Sequence, residues 1–461
     1  MRSTFESWVV NNMNSTNLKH FKIHGLFGRY DVALQFDKEV NIFIGENGLG
    51  KTTILNCLYY VLEKKLMQLE EVVFDSIEIR FRNSRTPHLF TKADLIAFNH
   101  RRKGSRVYFD DELVREFLYE LNISLQDFLD FPAEAKESYL RQYARLQGIP
   151  FPILRNQVAR SASNLNSAKT GEGDPAKVQK LLGAVNNNIK ERIIYLPTYR
   201  RIENDFSSLN IRSNETNNTE MLIRFGMADV QKSIDAILDS IRALAMQGFN
   251  KMTGLLLHQY TDGDDNVRPY DPINVDVAKI VLNRLGSEVE EATKRDIISL
   301  IESNDIYSYK YIHLLNLLHK LVANYDQQKH YDDCINGFVD TCNKYLRDKH
   351  FYYDPSNLTL EIILDGESEN GQTVKLTQLS SGEKQIVSLF SKLYLEGKEK
   401  SIVIIDEPEL SLSIKWQQML LPDIMRSGNC NFLLTVTHSP FIFENEFDMD
   451  AQEMRANMQR I

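Results

Sequence analysis

Residues 41–56, NIFIGENGLGKTTILN, decide how the rest of the chain is read. The apolar run Ile42-Phe43-Ile44 enters a glycine-rich turn ending in Gly50-Lys51-Thr52, and a helix-like apolar run follows. The turn fits G-x-x-x-x-G-K-[ST], with Gly45, Gly50, Lys51 and Thr52 in the fixed places, and it sits between a strand and a helix as the pattern requires. Glycines at 45, 48 and 50 allow backbone conformations closed to other residues, so successive N–H groups can converge on a phosphate at the positive end of a helix. In such a loop Lys51 reaches the β- and γ-phosphates and the Thr52 hydroxyl binds Mg2+. The expected nucleotide-binding residues of the loop are Asn47, Gly48, Leu49, Gly50, Lys51, Thr52 and Thr53.

Composition bounds what surrounds this loop. The 461 residues are 43% hydrophobic and 25% charged, the profile of a soluble globular protein with material for two or three domains at about 150 residues each. A net charge of −9 argues against a protein that coats nucleic acid by bulk attraction, though not against a local basic groove. Cys57, Cys334, Cys342 and Cys430 show no zinc or C-x-x-C spacing and read as reduced thiols. No signal-peptide core and no run of 18 apolar residues is present, so a cytoplasmic protein without membrane association is expected.

A second cluster of signals lies far downstream. SIVIIDEPEL (401–410) puts Asp406 and Glu407 at the C-terminal end of an apolar strand, where α/β sheets place ligand groups. Asp406 suits Mg2+ alongside Thr52, and Glu407 suits the polarising of an attacking water. LSSGEKQ (379–385) opens a helix with Ser380 and Gly382, another N-terminus able to face an anion. Taken alone it is an ordinary N-cap; its place ahead of the Asp-Glu strand makes it informative. TVTHSP (435–440) adds His438 at the end of a last apolar strand.

This set, Gly45–Thr52, Leu379–Glu383, Asp406–Glu407 and His438 in that order, resembles the ATP-binding-cassette type of ATPase head, in the branch shared by chromosome-maintenance, break-repair and phage-defence proteins. The resemblance implies an α/β fold: an ABC-type head, a mixed sheet with a phosphate-loop core, carrying helical insertions between the phosphate loop and the signature motif. It divides the chain into 1–82, the first part of the head; 83–189, a helical insertion; 190–202, a head strand with its following loop; 203–348, a second helical insertion; and 349–461, the rest of the head. It further implies ATP and Mg2+ as cofactors, a homodimer or higher oligomer with composite sites, Ser380 and Gly382 on the partner's ATP, and His438 on the γ-phosphate. The catalytic set is then Glu407, Lys51 and His438, with Thr52 and Asp406 on the metal.

Two departures are visible. A glutamine usual after the strand before the insert is replaced by Thr198, Tyr199, Arg200 and Arg201, and a position commonly Asp or His is Ser413. Communication between sites is therefore expected to be wired differently, with slow turnover. Tyr30 is a candidate to stack on adenine or to fill the core.

Among the head ATPases, the chain lacks both the compact insert of transporters and the sustained heptads of a long coiled coil. Few residues follow His438, too few for a nuclease domain there, and no H-N-H pattern is seen. The chain most resembles the ATPase subunit of Septu anti-phage systems and its retron-associated relatives, which implies a separate HNH-type nuclease as partner. The alternative is an SMC-like DNA-binding clamp in repair. The basic runs at 100–106 and 199–201 make DNA a further candidate partner, with a solvated loop the plainer reading.

Overall fold

Parallel strands that are apolar along their whole length need cover on both faces. In the computed structural model SIVIID and NFLLTV find that cover at the centre of the molecule. The structure describes residues 16–46, 48–102, 112–121, 123, 125–129, 131–147, 150–152, 154–155, 157–158, 173–197, 226–262, 272–286, 289–366, 372–397 and 399–461. A five-stranded parallel sheet runs in the order β12 (Ala451–Glu453), β3 (Val40–Ile44), β11 (Cys430–Thr437), β10 (Ser401–Asp406), β6 (Arg192–Leu196). Ile44 lies opposite Thr437 and Asp406 opposite Val436, so the C-terminal ends of β3, β10 and β11 are level.

Alternation along the strands splits the core in two. Ile402, Ile404, Phe432, Leu434 and Val436 face the phosphate-loop helix Lys51–Leu62, which contributes Ile54, Leu55 and Leu58, and beyond it a second sheet. Val403, Ile405 and Leu433 face the opposite way, toward helices Met227–Asp262, Ile312–Asn343, Ser381–Tyr394 and Ile414–Arg426.

The second sheet is antiparallel, in the order β13 (Met458–Arg460), β2 (Tyr30–Gln35), β1 (Leu18–Leu26), β4 (Ser76–Phe81), β5 (His88–Thr91). In β4 the buried Ile77, Ile79 and Phe81 alternate with Ser, Glu and Arg, as one-sided burial demands. The mixed α/β head is thus realised as one parallel and one antiparallel sheet, with helical insertions between the phosphate loop and Ser380. LTLEIIL and TVKLTQL, two strand-like runs on either side of a polar turn, form a hairpin of β8 (Thr359–Leu364) with β9 (Thr373–Val374). It is joined by β7 (Lys349–Asp354), which the polar composition of KHFYYD concealed.

Within 83–189, β5 and helix Pro175–Asn188 pack with the head, the helix burying Val178, Leu181 and Val185. Asp174 caps that helix, accepting from the Ala176 N–H at 2.9 Å, with proline at the first turn. Helices Glu112–Leu121, Leu125–Leu129 and Ala133–Leu146 close a small core of their own around Phe117, Phe128 and Tyr143. In the second insertion Val230, Ile234, Ile237, Leu238 and Ile241 are buried as their spacing predicts, while Leu244 is half-buried. No described helix is long and apolar enough to cross a membrane. The four cysteines are free thiols.

A buried charged knot fastens this insertion to the β7–β8 hairpin. Arg284, at the end of helix Val275–Arg284, donates to both Asp332 carboxylate oxygens at 2.8 Å, to Gln328 Oε1 at 2.7 Å and to the Pro355 carbonyl at 2.8 Å. Tyr353 of β7 donates to the same aspartate, and the Arg284 guanidinium lies over the Tyr325 ring. Truncating one member leaves a buried charge uncompensated, whereas replacing both with apolar side chains need not. Asp332→Ala is therefore expected to lower stability by about 3–5 kcal/mol in urea denaturation, and Arg284→Met combined with Asp332→Leu to recover most of it.

Candidate functional site

Because β3, β10 and β11 run the same way and end level, the loops that leave them meet at one edge of the sheet. The loop after β3 has Gly48 at φ 85° and Gly50 at φ 77°, in the left-handed region where side chains are disfavoured. Gly50 is also the N-cap of the following helix and offers no side chain to its first N–H groups, which leaves them for an anion. Thr52 and Thr53 lie in that first turn, Leu49 folds toward Gly45, and Asn47 is outside the described residues.

Lys51 is buried to 4% exposure. Its ammonium donates to the Gly45 carbonyl at 2.6 Å and the Glu46 carbonyl at 3.2 Å, touches His438 Nε2 and lies 3.4 Å from His438 Nδ1. Burial pushes its pKa below the ordinary lysine value, against the pull of the Glu407, Asp406 and Glu409 carboxylates. The cation is thus held in the concavity of the loop by carbonyls that a phosphate would displace.

Thr52 donates its hydroxyl to Asp406 Oδ2 at 2.6 Å. Those two oxygens come from opposite ends of the chain and form a pair suited to a hard divalent cation. Glu407 follows at φ 50°, a left-handed conformation rare outside glycine, and its N–H donates to the Val436 carbonyl at 2.8 Å. Its carboxylate lies 3.4 Å from His438 Nε2. Lys51, Thr52, Asp406, Glu407 and His438 accordingly form one cluster.

Ser380 and Gly382 are attached differently. Ser380 caps the helix Ser381–Tyr394 in a reciprocal box: its Oγ accepts from the Glu383 N–H at 3.4 Å, and its own N–H donates to Glu383 Oε2 at 2.8 Å. Burial alone would raise the Glu383 pKa, but the hydrogen bond from Lys349 and those from Ser380 hold it below the usual range. Gly382 packs against the turn that follows Glu407: a Cβ there would lie 2.4 Å from the Ser411 carbonyl oxygen and 3.1 Å from the Trp416 ring. Only glycine permits that approach. Ser413 caps the next helix, accepting from the Trp416 N–H at 3.4 Å.

Two residues at this edge escaped the sequence reading. Tyr30 is half-buried and paired with Leu26 in the β1–β2 hairpin, whereas Phe27, 43% exposed, lies against the loop: a Cβ on Gly50 would meet its ring at 2.7 Å. Glu409 accepts hydrogen bonds from the His438 and Ser439 N–H groups and from the Thr437 hydroxyl. Its only sequence signal was proximity to Glu407. Thr198, Tyr199, Arg200 and Arg201 lie outside the described residues, as does most of the basic run at 100–106.

No curated protein sequence matches the chain. Among solved structures it is similar to the Smc head domain with an extended coiled coil bound to the C-terminal domain of ScpA from Pyrococcus furiosus, at 12% identity and a TM-score of 0.33, covering 96% of this chain and 95% of that one. It is also similar to an Smc head bound to the C-winged helix domain of ScpA, at 10% identity and a TM-score of 0.32, covering 96% and 97%. The AAA ATPase domain matches over residues 18–443, a span that takes in the phosphate loop, Asp406, Glu407 and His438. With its nucleotide-binding loop and acidic strand end inside that match, the chain belongs to the AAA ATPase domain family.

Proposed function

We propose that this chain is the ATP-binding and hydrolysing regulatory subunit of an anti-phage defence complex, controlling a separate HNH-type nuclease. The observation that carries the hydrolytic part is the 2.6 Å contact between Thr52 Oγ1 and Asp406 Oδ2 beside the Lys51–Glu407–His438 group. Two oxygen donors next to uncapped helix N–H groups fit a phosphate-bound Mg2+, which when bound would neutralise phosphate charge. Lys51 is placed to pair with the phosphates, Glu407 to orient and polarise a water, and His438 to stand at the terminal phosphate. Phe27, exposed beside Gly50, joins Tyr30 as a candidate ring for the base.

The composite-site part is supported by the way Ser380 and Gly382 are held. Ser380 is exposed at the start of its helix and bonds within its own turn, to Glu383, which leaves its hydroxyl facing outward for a second copy, while Gly382 is buried against Ser411 and sets the position of that turn. The defence part rests on the order of motifs and the two mid-sized insertions, with the region 83–189 and the helices of 203–348 proposed as surfaces for assembly and for the nuclease.

Glu407→Gln is expected to bind ATP like the parent and to hydrolyse it at least tenfold more slowly, within the roughly 10²–10⁴ range of a lost general base. Steady-state hydrolysis beside a filter-binding isotherm checks this, and unchanged turnover removes Glu407 from the role.

Mixing Lys51→Ala with Ser380→Arg protein should restore part of the activity, since a heterodimer keeps one site with both residues intact. A heterodimer that forms yet stays inactive would argue against shared sites.

For control of the nuclease, the purified complex is assayed on plasmid DNA over a range of ATP at constant Mg2+. Cleavage should fall as ATP rises in the parent and ignore ATP in a Lys51→Ala complex, because a ligand shifts an equilibrium only through different affinity for its states. DNA-stimulated hydrolysis with no partner present would point instead to a repair clamp.

A further inference from the structure

We infer that Glu409 is a positioning residue, which fixes the backbone on which His438 stands and ties that histidine to the turn gripped by the signature helix. The inference rests on the ATPase reading of the site but concerns a residue to which that reading gives no task.

The need for such a residue follows from where β11 stops. Thr437 is its last residue, so the N–H groups of His438 and Ser439 leave the ladder and require other acceptors. Glu409 Oε1 accepts from His438 N at 2.7 Å and from Ser439 N at 3.2 Å, sharing the latter with Thr437 Oγ1 at 3.0 Å, while Oε2 accepts from the Thr437 hydroxyl at 2.8 Å. Three donors from three consecutive residues converge on one carboxylate, and bonds to an ionised acceptor are the strong kind. A second strut runs beside it. Ser439 Oγ donates to Gln417 Oε1 at 2.6 Å, and Gln417 Nε2 donates to the Leu412 carbonyl at 3.0 Å.

Glu409 itself stands in a strained turn. Glu407 at φ 50° and Ser411 at φ 65° are both left-handed non-glycine residues, a state that persists only when the surroundings over-determine it. The Leu410 N–H closes on the Glu407 carbonyl and the Leu412 N–H on the Glu409 carbonyl. One end of this turn carries Glu407, and its other end carries the Ser411 carbonyl pressed against Gly382. Displacement of the signature helix by a second copy would therefore move the Glu409 carboxylate, and with it the peptide of His438. The route is local and covalent except at two contacts, Gly382 on Ser411 and Glu409 on the 438–439 N–H pair.

Glu409→Ala and Glu409→Gln, made in the full chain, separate the possibilities. The amide oxygen of Glu409→Gln can still accept both N–H bonds, and its NH2 can donate to the Thr437 hydroxyl. The first measurement is the NMR signal of the His438 imidazole in the nucleotide-free chain labelled with 15N-histidine, identified by its loss in His438→Asn. The second is the kcat and KM of ATP hydrolysis. Glu409→Ala is expected to move the His438 signal and to lower kcat at least tenfold with KM within threefold of the parent; Glu409→Gln should return both close to the parent. If the alanine variant does not fold, Glu409→Asp replaces it, since its shorter arm withdraws the oxygens while keeping the charge, and the same shifts are expected. An unmoved His438 signal in the truncated variant overturns the inference, and so does a Glu409→Gln protein as impaired as Glu409→Ala, which would make the charge itself the functional group. If the parent hydrolyses no ATP, the ATPase reading fails by itself and the His438 signal still decides the role of Glu409.

Discussion

The parallel direction of β3, β11 and β10 is the constraint from which the rest of the molecule follows. Three strands that end level on one edge bring together a loop from the first eighth of the sequence and two from its last eighth, so Lys51 can touch His438 and Thr52 can reach Asp406. The same parallelism leaves no face of the sheet for solvent. One side is closed by the phosphate-loop helix and the antiparallel sheet, the other by helices drawn from both the second insertion and the signature region. The insertion is in this sense structural as well as peripheral: Val230, Ile234, Ile237 and Ile241 complete the core beneath the strand that carries Asp406.

Electrostatics at that edge are concentrated. Lys51 is surrounded by Asp406, Glu407 and Glu409, and the burial that weakens its hold on a proton also keeps water from screening those carboxylates. The carboxylates divide their work by position. Asp406 is tied to a hydroxyl, Glu409 to peptide N–H groups, and Glu407, held out by a left-handed backbone, faces the histidine.

Much of the site was legible because its chemistry is written in local patterns. The glycine spacing of 45–50, the acidic pair after SIVIID and the histidine after NFLLTV each sit at a strand end that apolar runs announce. What stayed hidden depends on approach between distant segments. Glu409 is one carboxylate among several until β11 brings its frayed N–H groups within reach, and Phe27 is an ordinary turn residue until Gly50 comes to lie beneath it. The short edge strands β12 and β13 carry AQE and MQR, too brief and polar to show a period, and the partners of Arg284 lie on a helix and a hairpin far along the chain. Periodicity reports which face of an element is buried, but not what covers it.

The neighbours of β3 also set a timetable. Both of its partners, β11 and β12, come from the last stretch of the chain, and buried Met454 packs beside Gly45 at the start of the phosphate loop. During synthesis at ~5–20 residues per second, the strand leading into that loop emerges early and waits on the order of tens of seconds for an edge to pair with. Over that interval VNIFI is an unpaired apolar strand, the kind of segment that invites aggregation. The nascent chain can close the β2–β1–β4 ribbon at once, but nucleotide binding cannot help it fold until β10, β11 and β12 have left the ribosome. The exposure of β3 therefore lasts as long as the insertions take to be made, and aggregation during synthesis should track translation speed through them more than the stability of the folded head.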